Sequence, residues 1–163
     1  MSAFAHLLVR NPKDDETPIE AATQIFSSLF PYPYIPLWKR VYIKPRSHAF
    51  EIYLLGQTVY FYVTTKEENE TLVTSLISSS FPKSNVLRTD DPMEKILASS
   101  HIMVGEMVLN SYSYLPIKTY ADLQDIDPLS SLLGFLAKQD VSIRMAVQIV
   151  IKPAGFPWQD KAV

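Results

Sequence analysis

The chain has 163 residues, of which 47% are hydrophobic, 12% aromatic and 20% charged. That is a globular composition sized for one domain, and it excludes a disordered or fibrous chain. There is no cysteine, which excludes a disulfide scaffold, cysteine-ligated zinc, an iron–sulfur cluster and thiol catalysis. Fifteen basic residues against seventeen acidic give a net charge of -2, spread evenly along the chain, so no bulk field favours nucleic acid or anionic lipid.

No run approaches the ~18–20 apolar residues that span a bilayer. Met1–Arg10 is too short and too weakly apolar for a signal peptide, and Asn69-Glu70-Thr71 is read as a chance sequon. The expected address is the cytoplasm. Glycine is scarce, and even the closest pair, Gly134 and Gly155, lie far apart. Neither a P-loop nor a dinucleotide-binding turn can be built from that spacing, and no nucleotide or other cofactor is expected.

Residues 5–10 read as a first strand, stopped by Asn11-Pro12. Thr17, with Pro18 at the first helical position and Glu20 beyond it, reads as a capping box. Ile19, Ala22, Ile25, Phe26, Leu29 and Phe30 then fall on one helical face until Pro31 and Pro33. Residues 31–48 hold four prolines, four aromatics (Tyr32, Tyr34, Trp38, Tyr42) and four basic residues (Lys39, Arg40, Lys44, Arg46) with no acid. They read as a long loop with a short edge strand near Val41–Ile43.

Phe50, Ile52 and Leu54 alternate with polar or aromatic neighbours, as do Val59, Phe61 and Val63. A short turn at Gly56-Gln57 joins the two runs into a β-hairpin. Thr65 and Glu68 suggest a second capping box, followed by a helix with Leu72, Val73, Leu76 and Ile77 inward and Phe81-Pro82 at its end. Ser84–Arg88 reads as a fourth strand. The order is β-α-β-β-α-β, which predicts an α+β fold with a ferredoxin-like split βαβ unit over residues 1–90. An α+β extension over residues 91–163, continuing the same sheet or packed on it, completes one compact domain. It comprises a helix from Asp91-Pro92 to Ala98, strands at Ile102–Tyr112 and Leu115–Tyr120, a helix from Asp127-Pro128 with Leu129, Leu132, Leu133 and Leu136 inward, and a strand through Ile143, Met145, Val147, Ile149 and Ile151.

Catalytic and metal-binding readings find little support. His6, His48 and His101 match no ligand spacing. Asp91 and Asp127 precede prolines at helix starts, where capping accounts for them. No serine sits in a nucleophile elbow or beside a base. The cation-rich aromatic loop is the candidate surface: Tyr32, Tyr34, Trp38, Lys39, Arg40, Tyr42, Lys44 and Arg46 suit a protein docking site, single-stranded nucleic acid or lipid headgroups, or a proline-rich loop held by its own aromatics. Tyr53, Tyr60 and Tyr62, on the outward face of the hairpin, form a second candidate stripe if no helix covers them.

The order of segments is itself informative. Leu7-Leu-Val-Arg-Asn-Pro12 leads into Thr17-Pro-Ile-Glu-Ala-Ala-Thr-Gln-Ile-Phe26, then Phe50-Glu-Ile52, Tyr60-Phe-Tyr-Val63 and Phe81-Pro82. Leu115-Pro-Ile-Lys-Thr119, Asp127-Pro-Leu-Ser-Ser-Leu-Leu-Gly-Phe-Leu-Ala-Lys138, Gln148-Ile-Val-Ile-Lys-Pro153 and Trp158-Gln-Asp-Lys161 follow. This series resembles the amino-terminal domain of type IV secretion or conjugative-transfer ATPases of the FtsK/HerA superfamily. The resemblance implies a non-catalytic interaction and assembly module. Its partners would be the motor domain, other secretion-system subunits or further copies of itself, and the inner membrane would be reached through those partners. That family's Walker motifs have no counterpart here, so none of its nucleotide-binding residues carries over. The alternative is a free-standing ferredoxin-like module binding a small ligand or single-stranded nucleic acid. An enzyme working in a pocket between the two halves, with His48 or His101 beside carboxylates, is a third and weaker reading.

Overall fold

In the computed structural model, residues 4–29, 47–108, 110 and 129–152 are described. Five strands form one sheet: β1 (Phe4–Arg10), β2 (His48–Leu55), β3 (Thr58–Lys66), β4 (Asn85–Thr89) and β5 (Met145–Ile151). The order is β4-β1-β3-β2-β5, with every neighbouring pair antiparallel. Helices α1 (Glu20–Leu29) and α2 (Glu70–Ser80) carry the chain from β1 to β2 and from β3 to β4. Each crossover skips one strand position, which the other unit's strand fills. The chain is therefore an α+β protein built on a mixed-connection antiparallel sheet.

The two helices share one sheet face. Leu7 and Val63 from the strands meet Ile25 and Leu29 of α1 and Val73 and Ile77 of α2 in one buried cluster. These are the i, i+4 pairs of two amphipathic helices, so the burial follows from period. A Phe26–Phe50 ring contact at 5.1 Å continues the packing from α1 onto β2. At the far edge, Arg88 of β4 donates to Glu70 of α2 at 2.6 Å and to Glu67, fastening strand to helix start.

The hairpin turn is Gly56-Gln57, with φ of 58° and 62°. Two successive positive φ values define the two-residue turn whose twist matches that of the flanking strands. Glycine meets this requirement at the first position, while Gln57 takes a left-handed conformation that costs a side-chain-bearing residue roughly 1–2 kcal/mol.

Neither predicted capping box forms. Thr17 donates its hydroxyl to Asp15 Oδ1 at 2.6 Å and its amide to the same oxygen at 3.1 Å. The side chain that was to cap the helix is engaged in this Asx turn, and α1 begins three residues later. Thr65 stays inside β3, fully buried, with its hydroxyl 2.9 Å from His48 Nδ1. A single 3-10 turn, Glu67–Asn69, then intervenes before α2. In both places a nearby polar partner outcompetes the local helix signal.

The second half extends the sheet, because β5 pairs along β2 from His48↔Ile151 to Leu54↔Met145. Helix α3 (Met93–Leu97) lies on the face opposite α1 and α2, and α4 (Ser130–Ala137) buries Leu136. The strand predicted from Ile102 is absent over residues 102–108, which form neither helix nor strand. Their apolar side chains are exposed, as described below. The predicted strands near Val41–Ile43 and Leu115–Tyr120 lie outside the described residues, as does the Asp127-Pro128 helix start. No described helix is long and apolar enough to cross a membrane.

Candidate functional site

Each face of the sheet carries one feature beyond simple packing. On the α1/α2 face, the described helices leave part of the β2–β5 side of the sheet open. A groove of about 480 Å³ opens there, walled by Phe26 of α1, Phe50 and Ile52 of β2, Phe61 of β3, Leu129 at the start of α4 and Ile149 of β5. Its lining is almost wholly apolar. Phe26, Phe61, Leu129 and Ile149 are all exposed. Phe50, Ile52 and Phe61 are the residues whose alternation predicted a core face. The alternation sets the face correctly, but Phe61 and Ile149 on it are left exposed.

On the opposite face, a line of polar side chains crosses four strands. His6 (β1) places Nδ1 3.0 Å from the Thr64 hydroxyl (β3). Thr64 donates to Glu51 Oε2 (β2) at 2.9 Å, and Gln148 (β5) donates its amide to Glu51 Oε1. A hydroxyl has one proton. With that proton given to the carboxylate, Thr64 can only accept from His6, so Nδ1 of His6 carries the hydrogen. The register creates this row: His6 lies opposite Thr64, and Glu51 lies opposite Gln148. Glu51 is buried, and its two donors are what make the burial of a carboxylate tolerable. At the β1 end, Asp91 Oδ1 stands 3.9 Å from His6 Nδ1 and accepts the Met93 amide at 2.8 Å, at the start of α3.

Beside this row, Leu8, Tyr53 and Tyr62 form a second core beneath Met93 and Ile96 of α3. Tyr53 and Tyr62 meet edge to face at 5.3 Å. Burial raises the Tyr53 hydroxyl well above the ordinary tyrosine range, and the negative charges of Glu51 and Asp91 push the same way. This corrects the reading of Tyr53 and Tyr62 as an outward interface stripe. A five-residue helix covers them, and both belong to the core. Tyr60 is half-buried and borders a cavity of about 420 Å³ together with Arg10, Asp90, Asp91 and Lys95.

The other predicted surface residues, Tyr32, Tyr34, Trp38, Lys39, Arg40, Tyr42, Lys44 and Arg46, lie outside the described residues. The three histidines are separated: His6 sits in the polar row, His48 is buried against Thr65, and His101 is exposed with its Nδ1 3.0 Å from the Ser100 hydroxyl. Among the described residues, no group of three or more His, Cys, Asp or Glu is placed to hold a metal ion. The groove and the polar row were both missed by the sequence reading. The groove depends on where α1 ends its coverage of the sheet. The Thr64–Glu51 link of the row lies within the hairpin, but the His6 and Gln148 links depend on register between strands that lie far apart in the chain.

The fold and these surfaces define an α+β domain with an apolar groove on one sheet face and a polar row on the other. The model of one sequence family, the domain of unknown function DUF8128, matches residues 3–163, and the chain belongs to that family. No curated protein and no solved structure matches the chain.

Proposed function

We propose that this chain is a non-catalytic interaction and assembly domain of a type IV secretion ATPase that translocates DNA or protein. The observation that carries the interaction reading is the open groove beside β5, where Phe26, Phe61 and Ile149 face solvent. Apolar patches of that kind mark surfaces that a partner covers. The link to a translocating motor rests on the order of sequence segments set out above. In this reading the partner is a neighbouring part of the motor assembly. The domain works on the cytoplasmic side and comes near the inner membrane only through that assembly.

The test compares the motor-containing protein carrying this domain with its Phe61→Asp variant. Phe61 is exposed on a paired strand, so the substitution leaves the buried clusters untouched. Expected are an intact fold, loss of assembly on sedimentation, and at least a tenfold drop in assembly-dependent ATP turnover. ATP turnover by the present chain alone, or unchanged assembly in the variant, overturns the reading. The small-ligand or nucleic-acid reading draws on the cavity near Tyr60, Arg10 and Lys95. It predicts oligonucleotide binding whose affinity falls steeply with salt.

A further inference from the structure

Two unsatisfied elements of this chain match each other. The first is the segment Ile102–Val108. Met103 is 99% exposed, Val104 93%, Met107 89% and Val108 78%. A Cβ built on Gly105 would meet nothing within 4 Å. Beyond the half-exposed Ile102 the segment is almost fully open, although it is apolar at five positions and charged only at Glu106. The second is the outer edge of β5. Among the described residues no strand pairs with it, and β2 occupies its other side. Ile149 is 58% and Val150 57% exposed, one on each face of the sheet.

Edge strands of monomers are ordinarily shortened, bulged or charged against further pairing. The opposite edge, β4, is short and holds Arg88. β5 has seven residues, Met-Ala-Val-Gln-Ile-Val-Ile, with no charge and no proline. The segment 102–108 is of the same length. If it is extended, its alternate side chains are apolar on both faces, with Met103 and Met107 on one and Ile102, Val104 and Val108 on the other. The groove described above begins at Ile149 and offers room for the side chains on that face.

We infer that residues Ile102–Val108 of one copy add to β5 of a second copy as a sixth strand. Main-chain hydrogen bonds along β5 would supply affinity, and the groove would select the side chains. The exchange is head-to-tail in kind: it closes where two copies exchange segments reciprocally or a ring completes, and otherwise propagates from copy to copy. This deepens the assembly reading, and rests on it, by naming the partner as the chain itself.

The test uses the chain alone, so its result is separable from any coupling to a motor. Light scattering after size exclusion is expected to show an oligomer for the natural sequence. Val104→Asp removes the donated strand and Val150→Lys closes the accepting edge, and each variant alone is expected to be monomeric. Each variant keeps the element that the other lacks. Mixing them should therefore restore one interface and give a one-to-one heterodimer, which also shows that both variants are folded. A monomeric natural chain, an oligomer that survives Val104→Asp, or a mixture that stays monomeric overturns the inference.

Discussion

Replacing Thr64 with valine is the sharpest test of the polar row. The two side chains have nearly the same shape, so the change removes a hydroxyl while leaving the packing volume almost unaltered. That one hydroxyl donates to Glu51 at 2.9 Å and stands 3.0 Å from His6 Nδ1. A hydrogen bond to a charged group contributes about 1.5–3 kcal/mol and a neutral one about 0.5–1.5 kcal/mol. The valine methyl recovers part of this, leaving an expected loss of about 2–4 kcal/mol. Glu51 would keep only the Gln148 amide as a donor in the row, inside a sheet covered by α3. Urea denaturation reads the loss: with a slope of about 2 kcal/mol per molar, the midpoint falls by roughly 1–2 M. The same measurement on Glu51→Gln and on the double variant gives the coupling, expected to exceed about 1 kcal/mol because the two groups touch. A single-variant loss below about 0.5 kcal/mol, or additive losses, would show that the row is a geometric coincidence rather than an energetic unit.

Two further outcomes follow from the same geometry. The Tyr53 hydroxyl is held protonated above the ordinary tyrosine range, so above pH 10 the unfolded chain releases a proton that the folded chain keeps. Stability present below that pH is then lost as pH rises, by up to about 1.4 kcal/mol per pH unit for this one group. Chemical denaturation between pH 9 and about pH 11 should show the decline, and Tyr53→Phe should flatten it; equal slopes in the two proteins would refute the assignment. At the hairpin, Gln57→Gly relieves a side-chain-bearing residue at φ 62°. It should raise stability by a few tenths to about 1 kcal/mol, whereas Gly56→Ala should lower it by about 1 kcal/mol or more. Thermal melts of both variants check the signs, and a stabilising Gly56→Ala would show that the turn is wrongly described.

Local patterns in the sequence were enough to locate the strands and helices that rest on period and punctuation. The Phe50–Leu54 and Val59–Val63 alternation around Gly56-Gln57 marks the hairpin, because pleat and turn chemistry both act within a few residues. The Ile25/Leu29 and Val73/Ile77 pairs mark the helix faces for the same reason. The capping boxes failed because Asp15 and His48 offered Thr17 and Thr65 better partners. His48 comes from another strand, whereas Asp15 competes from only two residues away. Tyr53 and Tyr62 read as surface because alternation marks two faces without saying how many are covered; α3, which begins about thirty residues beyond Tyr62, buries the second.

The candidate surfaces depend still more on tertiary placement. Nothing near Glu51 in sequence announces that Gln148 will meet its carboxylate beside the hairpin's own Thr64. That meeting follows from register across three strands, and register is settled by the whole sheet at once. The apolar run at Ile102–Val108 is plain in the sequence and reads as a strand there. Only the folded chain shows that none of the described residues pairs with it, since a strand needs hydrogen-bonding partners that no local pattern can supply.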